Sequence, residues 1–162
     1  MSLTGPVKRV TLWCRDAERS LALYRDILGL TVIEDKVVSG EAIARLAGLR
    51  DCTMRIVHLA SGDCAHGWIG LYEVSDADPM PGEVTVPRGD RITYGQASIV
   101  LQTERLEELV PRLERAGFVF MTRPTAYLKT AASPSMPAGR YTETVFFDPD
   151  GVPVALFSYE PA

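Results

Sequence analysis

From Val7 to Cys14 polar and apolar positions alternate, with Val10, Leu12 and Cys14 on one face and Arg9, Thr11 and Trp13 on the other. A period of two marks a strand with one face in an apolar core. Asp16 stands where a helix N-cap belongs, and Leu21, Tyr24 and Leu28 recur at helical spacing until Gly29 ends the run. The pattern then predicts a return strand from Thr31 to Ile33, a short helix from Glu41 to Ala47 stopped by Gly48, and strands from Thr53 to Leu59 and from Trp68 to Val74. The order is βαβββ with one extra turn of helix.

Residues 75–95 hold Pro79, Pro81, Gly82, Pro87 and Gly89 among mixed charges. That composition resists regular structure and suits a surface connection. After it Ala97, Ile99 and Leu101 alternate with Gln96, Ser98 and Val100 as a strand, and Thr103 is expected to cap a helix carrying Leu106, Leu109, Val110, Leu113 and Ala116, stopped by Gly117. Pro111 sits inside that helix and should bend it, because an interior proline removes a hydrogen bond at a cost of about 3 kcal/mol. Phe118 to Met121 reads as the next strand. A proline-rich segment follows, and then two apolar runs joined by Asp148-Pro149-Asp150-Gly151, a turn whose proline presets φ and whose glycine tolerates φ > 0. This half is again βαβββ. Val10 falls on Ala97, Leu21 on Leu109, Gly29 on Gly117 and Gly70 on Ala155, a repeat of 85 to 88 residues. The reading is one domain, residues 1–162, made of modules 7–74 and 96–160 joined by the 75–95 connection.

Composition narrows the function. The 162 residues suffice for a sizeable core, and no run approaches the roughly 18 apolar residues of a membrane span. The first residues lack the basic and apolar stretches of a secretory signal, and Cys14, Cys52 and Cys64 form an odd set without a CxxC pair, so the expectation is a cytoplasmic protein with reduced thiols. A net charge of −4, with basic residues interleaved among acidic ones, argues against a nucleic-acid partner and for a small molecule.

The opening run VTLWCRDAERSLALYRDILGL, the closing run FFDPDGVPVALF and the repeat together resemble the glyoxalase/bleomycin-resistance/extradiol-dioxygenase (vicinal oxygen chelate) superfamily over nearly the whole chain. The resemblance implies an α+β fold in which tandem βαβββ modules form a curved mixed sheet, a cup with helices on its outer face, and often a homodimer. In metal-using members four inner strand positions hold a divalent ion. Here those positions are read as Arg9, Gly70, Gln96 and Ala155, none of them a usual ligand, so no metal and no other cofactor is expected. The spacing of His58 and His66 does not suit a metal pair either.

Strand alternation names the lining of such a cup: Arg9, Thr11, Trp13, Trp68, Gly70, Tyr72, Gln96, Ser98, Val100, Ala155 and Phe157. The aromatic members either fill the cup as core or meet a ligand, and Gly70 and Ala155 should leave volume open. Arg9, read as half-buried, needs a partner: Glu73, Glu143 or a ligand anion. Tyr127 and Tyr141 are lid contacts or surface packing. The reading is a bleomycin-resistance-like protein that binds an aromatic or amphipathic molecule without metal. The alternatives are a metal-independent isomerase or lyase, for which His58 is the candidate acid–base group, and a metal-dependent lactoylglutathione-lyase-like enzyme or dioxygenase.

Overall fold

The computed structural model of the chain describes residues 3–82, 92 and 94–161. The chain divides into two compact units, Met1–Val84 and Thr85–Ala162. The first contains β1 (Arg9–Cys14), α1 (Ala17–Leu21) continued by a π-helical segment (Ala22–Ile27), β2 (Thr31–Ser39), α2 (Glu41–Leu46), β3 (Asp51–Ala60) and β4 (Trp68–Asp78). Its sheet runs β1-β4-β3-β2, with β1 parallel to β4 and the other pairs antiparallel. The second contains β5 (Ile99–Gln102), α3 (Leu106–Arg115), β6 (Phe120–Lys129), β7 (Gly139–Phe147) and β8 (Pro153–Pro161), in the order β5-β8-β7-β6 with the same parallel and antiparallel pairs. The repeat in the sequence is therefore a repeat of topology, in the mixed α+β class expected. Among the described residues no helix is long and apolar enough to cross a membrane.

In the first unit Asp16 caps α1 as expected, its Oδ1 accepting from the backbone N–H of Glu18 at 2.9 Å and Arg19 at 3.1 Å. The helix then widens: Leu28 N–H donates to the Leu23 carbonyl at 2.9 Å, five residues back. Leu21, Leu23 and Tyr24 are all buried. These side chains cover one face of the sheet, where Leu12, Val57, Leu59 and Leu71 are buried by the period of two. Glu73 lies on that face too and accepts from Ala17 N–H at 3.3 Å. Arg55 on the same face pairs with Glu18 of α1 and Asp35 of β2. Val10, assigned to this face by alternation, is 44% exposed at the strand's start. The second helix departs from the outer-face expectation: Ala44 of α2 packs with Cys52, Met54 and Ile56, whose parity puts them on the opposite face.

In the second unit α3 begins at Leu106 with Arg105 as N-cap, not at Thr103. Thr103 instead accepts from Arg105 N–H at 3.0 Å, a tight turn ahead of the helix. The helix continues through Pro111 to Arg115. Leu113, Phe146, Val154 and Leu156 are buried on the helix face, with Phe118 and Phe120 at 5.7 and 5.8 Å from the Phe146 ring.

Several strands exceed their expected bounds. β2 runs on to Ser39 and β6 to Lys129, both at sheet edges. Edge residues hydrogen-bond on one side only and can present polar side chains or proline to water, so they carry no alternation to read. β4 continues to Asp78, into the expected connection, while residues 83–91 and 93 of that connection, including Pro87 and Gly89, lie outside the described residues. β5 is shorter than expected: Gln96, Ala97 and Ser98 precede it.

Gly139 opens β7 at φ 154°, where a Cβ would lie 2.5 Å from the Glu160 carbonyl oxygen and 2.5 Å from the Tyr159 ring. Backbone cannot yield there without disturbing the β7–β8 pairing. Gly139→Ala is expected to lower stability by about 1–3 kcal/mol, read as a shifted urea midpoint. An unchanged midpoint would show that this corner relaxes freely.

Candidate ligand site

The inner face of the first sheet is set by register. Arg9 pairs with Trp68, Thr11 with Gly70 and Trp13 with Tyr72 across β1 and β4, and His58 of β3 lies opposite Gly70. Directly opposed residues project to the same side, so the six first-module residues expected to line a cup do share one face. His58 joins them. Trp13 is 55% exposed and meets Tyr72 edge to face with ring centres 5.5 Å apart. The rings of Trp68 and Tyr72 lie 6.1 and 6.0 Å from the imidazole of His58.

His58 is buried and held on both ring nitrogens: Nδ1 stands 2.8 Å from Glu34 Oε2 and Nε2 stands 3.3 Å from the Tyr72 hydroxyl. An ionised carboxylate can only accept, so in the neutral ring the proton sits on Nδ1, and Nε2 accepts from Tyr72. Glu34 reaches this place because the β2–β3 pairing shifts between Val32 and Glu34, a bulge that realigns the strand. Nothing in the sequence pattern announces that bulge, so the pairing of Glu34 with His58 is legible only in the structure.

Burial, then the charge of Arg9, push the His58 pKa below its ordinary value, outweighing Glu34. A depressed histidine stabilises the fold above its unfolded pKa and loses that contribution as pH falls. Stability should therefore decline as pH drops below about 6.5, the ordinary imidazole value, because the unfolded chain binds the proton first. His58→Gln should flatten this part of the profile; urea midpoints across a pH series check it. The Glu34 carboxyl, lowered chiefly by its bond from Lys36, adds loss in the same direction at more acid pH.

Two expectations are corrected here. Gly70 does not face a void: it is buried, and a Cβ there would lie 3.0 Å from Tyr72 Cε1, 3.4 Å from His58 Cδ2 and 3.5 Å from Arg9 Cδ. Its missing side chain is the space its neighbours occupy. Arg9 is exposed rather than half-buried, with its guanidinium 5.8 Å over the Tyr72 ring, so solvation removes the need for an internal partner. Neither proposed carboxylate serves it among the described residues. Glu73 is on the helix-covered face, and Glu143 hydrogen-bonds Tyr127.

The second sheet has a cleft of its own, about 370 Å³, lined by Gln96, Ser98, Val100, Glu143, Val145 and Ala155 along with Ile92, Tyr94 and Met121. Phe157 does not line it; it lies 6.2 Å from the buried Tyr141. Tyr127 and Tyr141 are not lid residues: they pair across β6 and β7 and stack at 5.4 Å. The parallel pairing of Ser98-adjacent Ile99 with Val154 also alters the repeat alignment. With Gly70 set on Ala155, the register partner of Arg9 is Ser98, two residues from Gln96; an even shift preserves the face.

The residues at the metal positions supply a guanidinium, a hydrogen atom, a carboxamide or hydroxyl, and a methyl group, a donor set that does not fit a divalent ion. His58, the imidazole opposite Gly70, is a single candidate donor, with its Nδ1 held by Glu34. Among the described residues no three His, Cys, Asp or Glu side chains converge.

None of the curated proteins compared matches the sequence. Solved structures do. A glyoxalase family protein from Bacillus cereus is 17% identical over 98% of each chain with a TM-score of 0.78. TnmS3, an antibiotic binding protein from Streptomyces sp. CB03234, is 17% identical over 99% of this chain and 100% of that one at 0.57. A glyoxalase/dioxygenase from Nostoc punctiforme is 16% identical over 99% and 98% at 0.60. At these identities the likeness is one of fold. The model of the Glyoxalase/Bleomycin resistance protein/Dioxygenase superfamily matches residues 7–156, and the chain belongs to that superfamily.

Proposed function

We propose that this protein binds a small aromatic or amphipathic molecule on the inner face of the first sheet, without a metal ion. The observation that carries the reading is Trp13, 55% exposed against Tyr72 on a sheet face that also holds Trp68. Flat apolar surface left to water at that density costs free energy that a flat ligand recovers, about 25 cal/mol per Å² covered. The likeness to an antibiotic binding protein supports the same class of activity. A donor set unfit for a divalent ion supports the metal-free part, and elemental analysis of the untagged protein should find less than stoichiometric metal.

The test is a thermal-shift screen of aromatic and amphipathic compounds against the wild type and Trp13→Ala. Hits should stabilise the wild type by mass action and lose about tenfold in affinity with the variant. Hits that act equally on both proteins would move the site elsewhere. A second reading, acid–base catalysis without metal, is favoured by one observation, the placement of His58 on this face between Glu34 and Tyr72. It requires that a bound compound be recovered chemically changed.

A further inference from the structure

The face carries more positive charge than a neutral aromatic ligand requires, in a chain whose net charge is −4. Arg9 is exposed and has no carboxylate partner among the described residues. Lys8 Nζ lies 3.8 Å over the Trp68 ring. Glu34, the carboxylate beside His58, is already engaged by His58 Nδ1 and by Lys36 Nζ, each at 2.8 Å. Cations therefore stand over the aromatic surface, while the carboxylate on this face, Glu34, is held in its pairs with His58 and Lys36. Next to them is a buried imidazole whose Nε2 makes only a long 3.3 Å contact with Tyr72.

Resting on the reading that this face receives an aromatic molecule, we propose that its ligand is an aromatic weak acid held as the anion, with Arg9 as counter-charge and His58, oriented by Glu34, as proton acceptor. On binding, the ligand O–H bond breaks and its electron pair stays on oxygen. The proton forms an N–H bond at His58 Nε2, where the ligand hydroxyl replaces that of Tyr72. Nothing is oxidised and no further reactant enters. The groups that face His58 are Arg9 from β1, Glu34 and Lys36 from β2 and Tyr72 from β4. In the ligand-free protein burial, and then the charge of Arg9, oppose protonation of the ring; an anion seated against Arg9 offsets that charge while Glu34 stabilises the imidazolium.

The probes are 4-nitrophenol, whose phenolate is distinguished from the phenol by visible absorbance, and its uncharged methyl ether, 4-nitroanisole. Equilibrium dialysis gives both affinities, and the spectrum gives the ionisation state of the bound phenol. The expected result is bound phenolate at a pH where the free probe is mostly neutral, a shift of about tenfold or more in its acid dissociation. Binding at that pH should release no net proton to buffer in the wild type, because His58 retains it, and about one per bound phenolate in His58→Gln, read by calorimetry in buffers of different ionisation heat. Arg9→Gln should lose the preference for phenol over ether, with circular dichroism checking its fold. If the ether binds as well as the phenol and the bound phenol stays neutral, the weak-acid inference is overturned and the aromatic reading survives. If neither probe binds, both fall. Proton release equal in wild type and His58→Gln would remove His58 from its assigned role.

Discussion

Phe146→Ala is expected to lower the stability of the protein by about 3–5 kcal/mol. Phe146 is 0% exposed and sits in β7 opposite Val154 of β8. Phe118 and Phe120 meet its ring at 5.7 and 5.8 Å, the first edge-on at an interplanar angle of 72°. Truncation removes the transfer free energy of a whole ring and both aromatic contacts, and the sheet backbone behind it cannot collapse into the space. Urea denaturation followed by far-ultraviolet circular dichroism measures the loss. A decrease under about 1 kcal/mol would mean that α3 and its neighbours close over the cavity.

Gly70→Leu is expected to abolish ligand binding at the first sheet and to cost about 1–3 kcal/mol of stability. The new Cβ would meet side chains, not backbone: Tyr72 Cε1 at 3.0 Å, His58 Cδ2 at 3.4 Å and Arg9 Cδ at 3.5 Å. Each of these must turn away to admit the branched chain, and each belongs to the proposed ligand face. Because the neighbours are the ends of rotatable side chains, the fold should survive. Gly70→Ala should be milder, displacing Tyr72 by a few tenths of an ångström. Thermal-shift titration with any compound that stabilises the wild type reads the binding, and the urea midpoint reads the fold. Retained affinity in Gly70→Leu would place the ligand away from Arg9, His58 and Tyr72.

What the chain announced by itself was periodic or chemical. Period two in Arg9–Cys14 and Trp68–Val74, the Asp16 cap, the glycine stops at 29 and 117 and the Asp148 turn are local instructions. Each acts within a few residues: Asp148 Oδ1 accepts from Asp150 N–H at 2.9 Å and Val152 N–H at 2.7 Å, and Gly151 supplies φ 87°. Their recurrence along the chain is enough to show two copies of one module, and with them the superfamily. Alternation also grouped Arg9, Thr11, Trp13, Trp68, Gly70 and Tyr72 correctly on one face, because a strand's parity does not depend on its partners.

Register between strands was decided only in three dimensions. The pairing of His58 with Glu34 depends on a bulge between Val32 and Glu34, and a one-residue slip of β2 would have turned the Glu34 carboxylate to the helix-covered face. The edge strands β2 and β6 gave no signal past Ile33 and Met121, since side chains turned to water carry no selection for apolar character, and so Tyr127 of β6 reads as a loop residue; Tyr141, buried on the inner strand β7, is placed only by its pairing with Tyr127 and Tyr159. Occupancy around glycine was equally invisible. Sequence records that Gly70 has no side chain, but only the packed sheet shows that Tyr72, His58 and Arg9 take up the space it leaves.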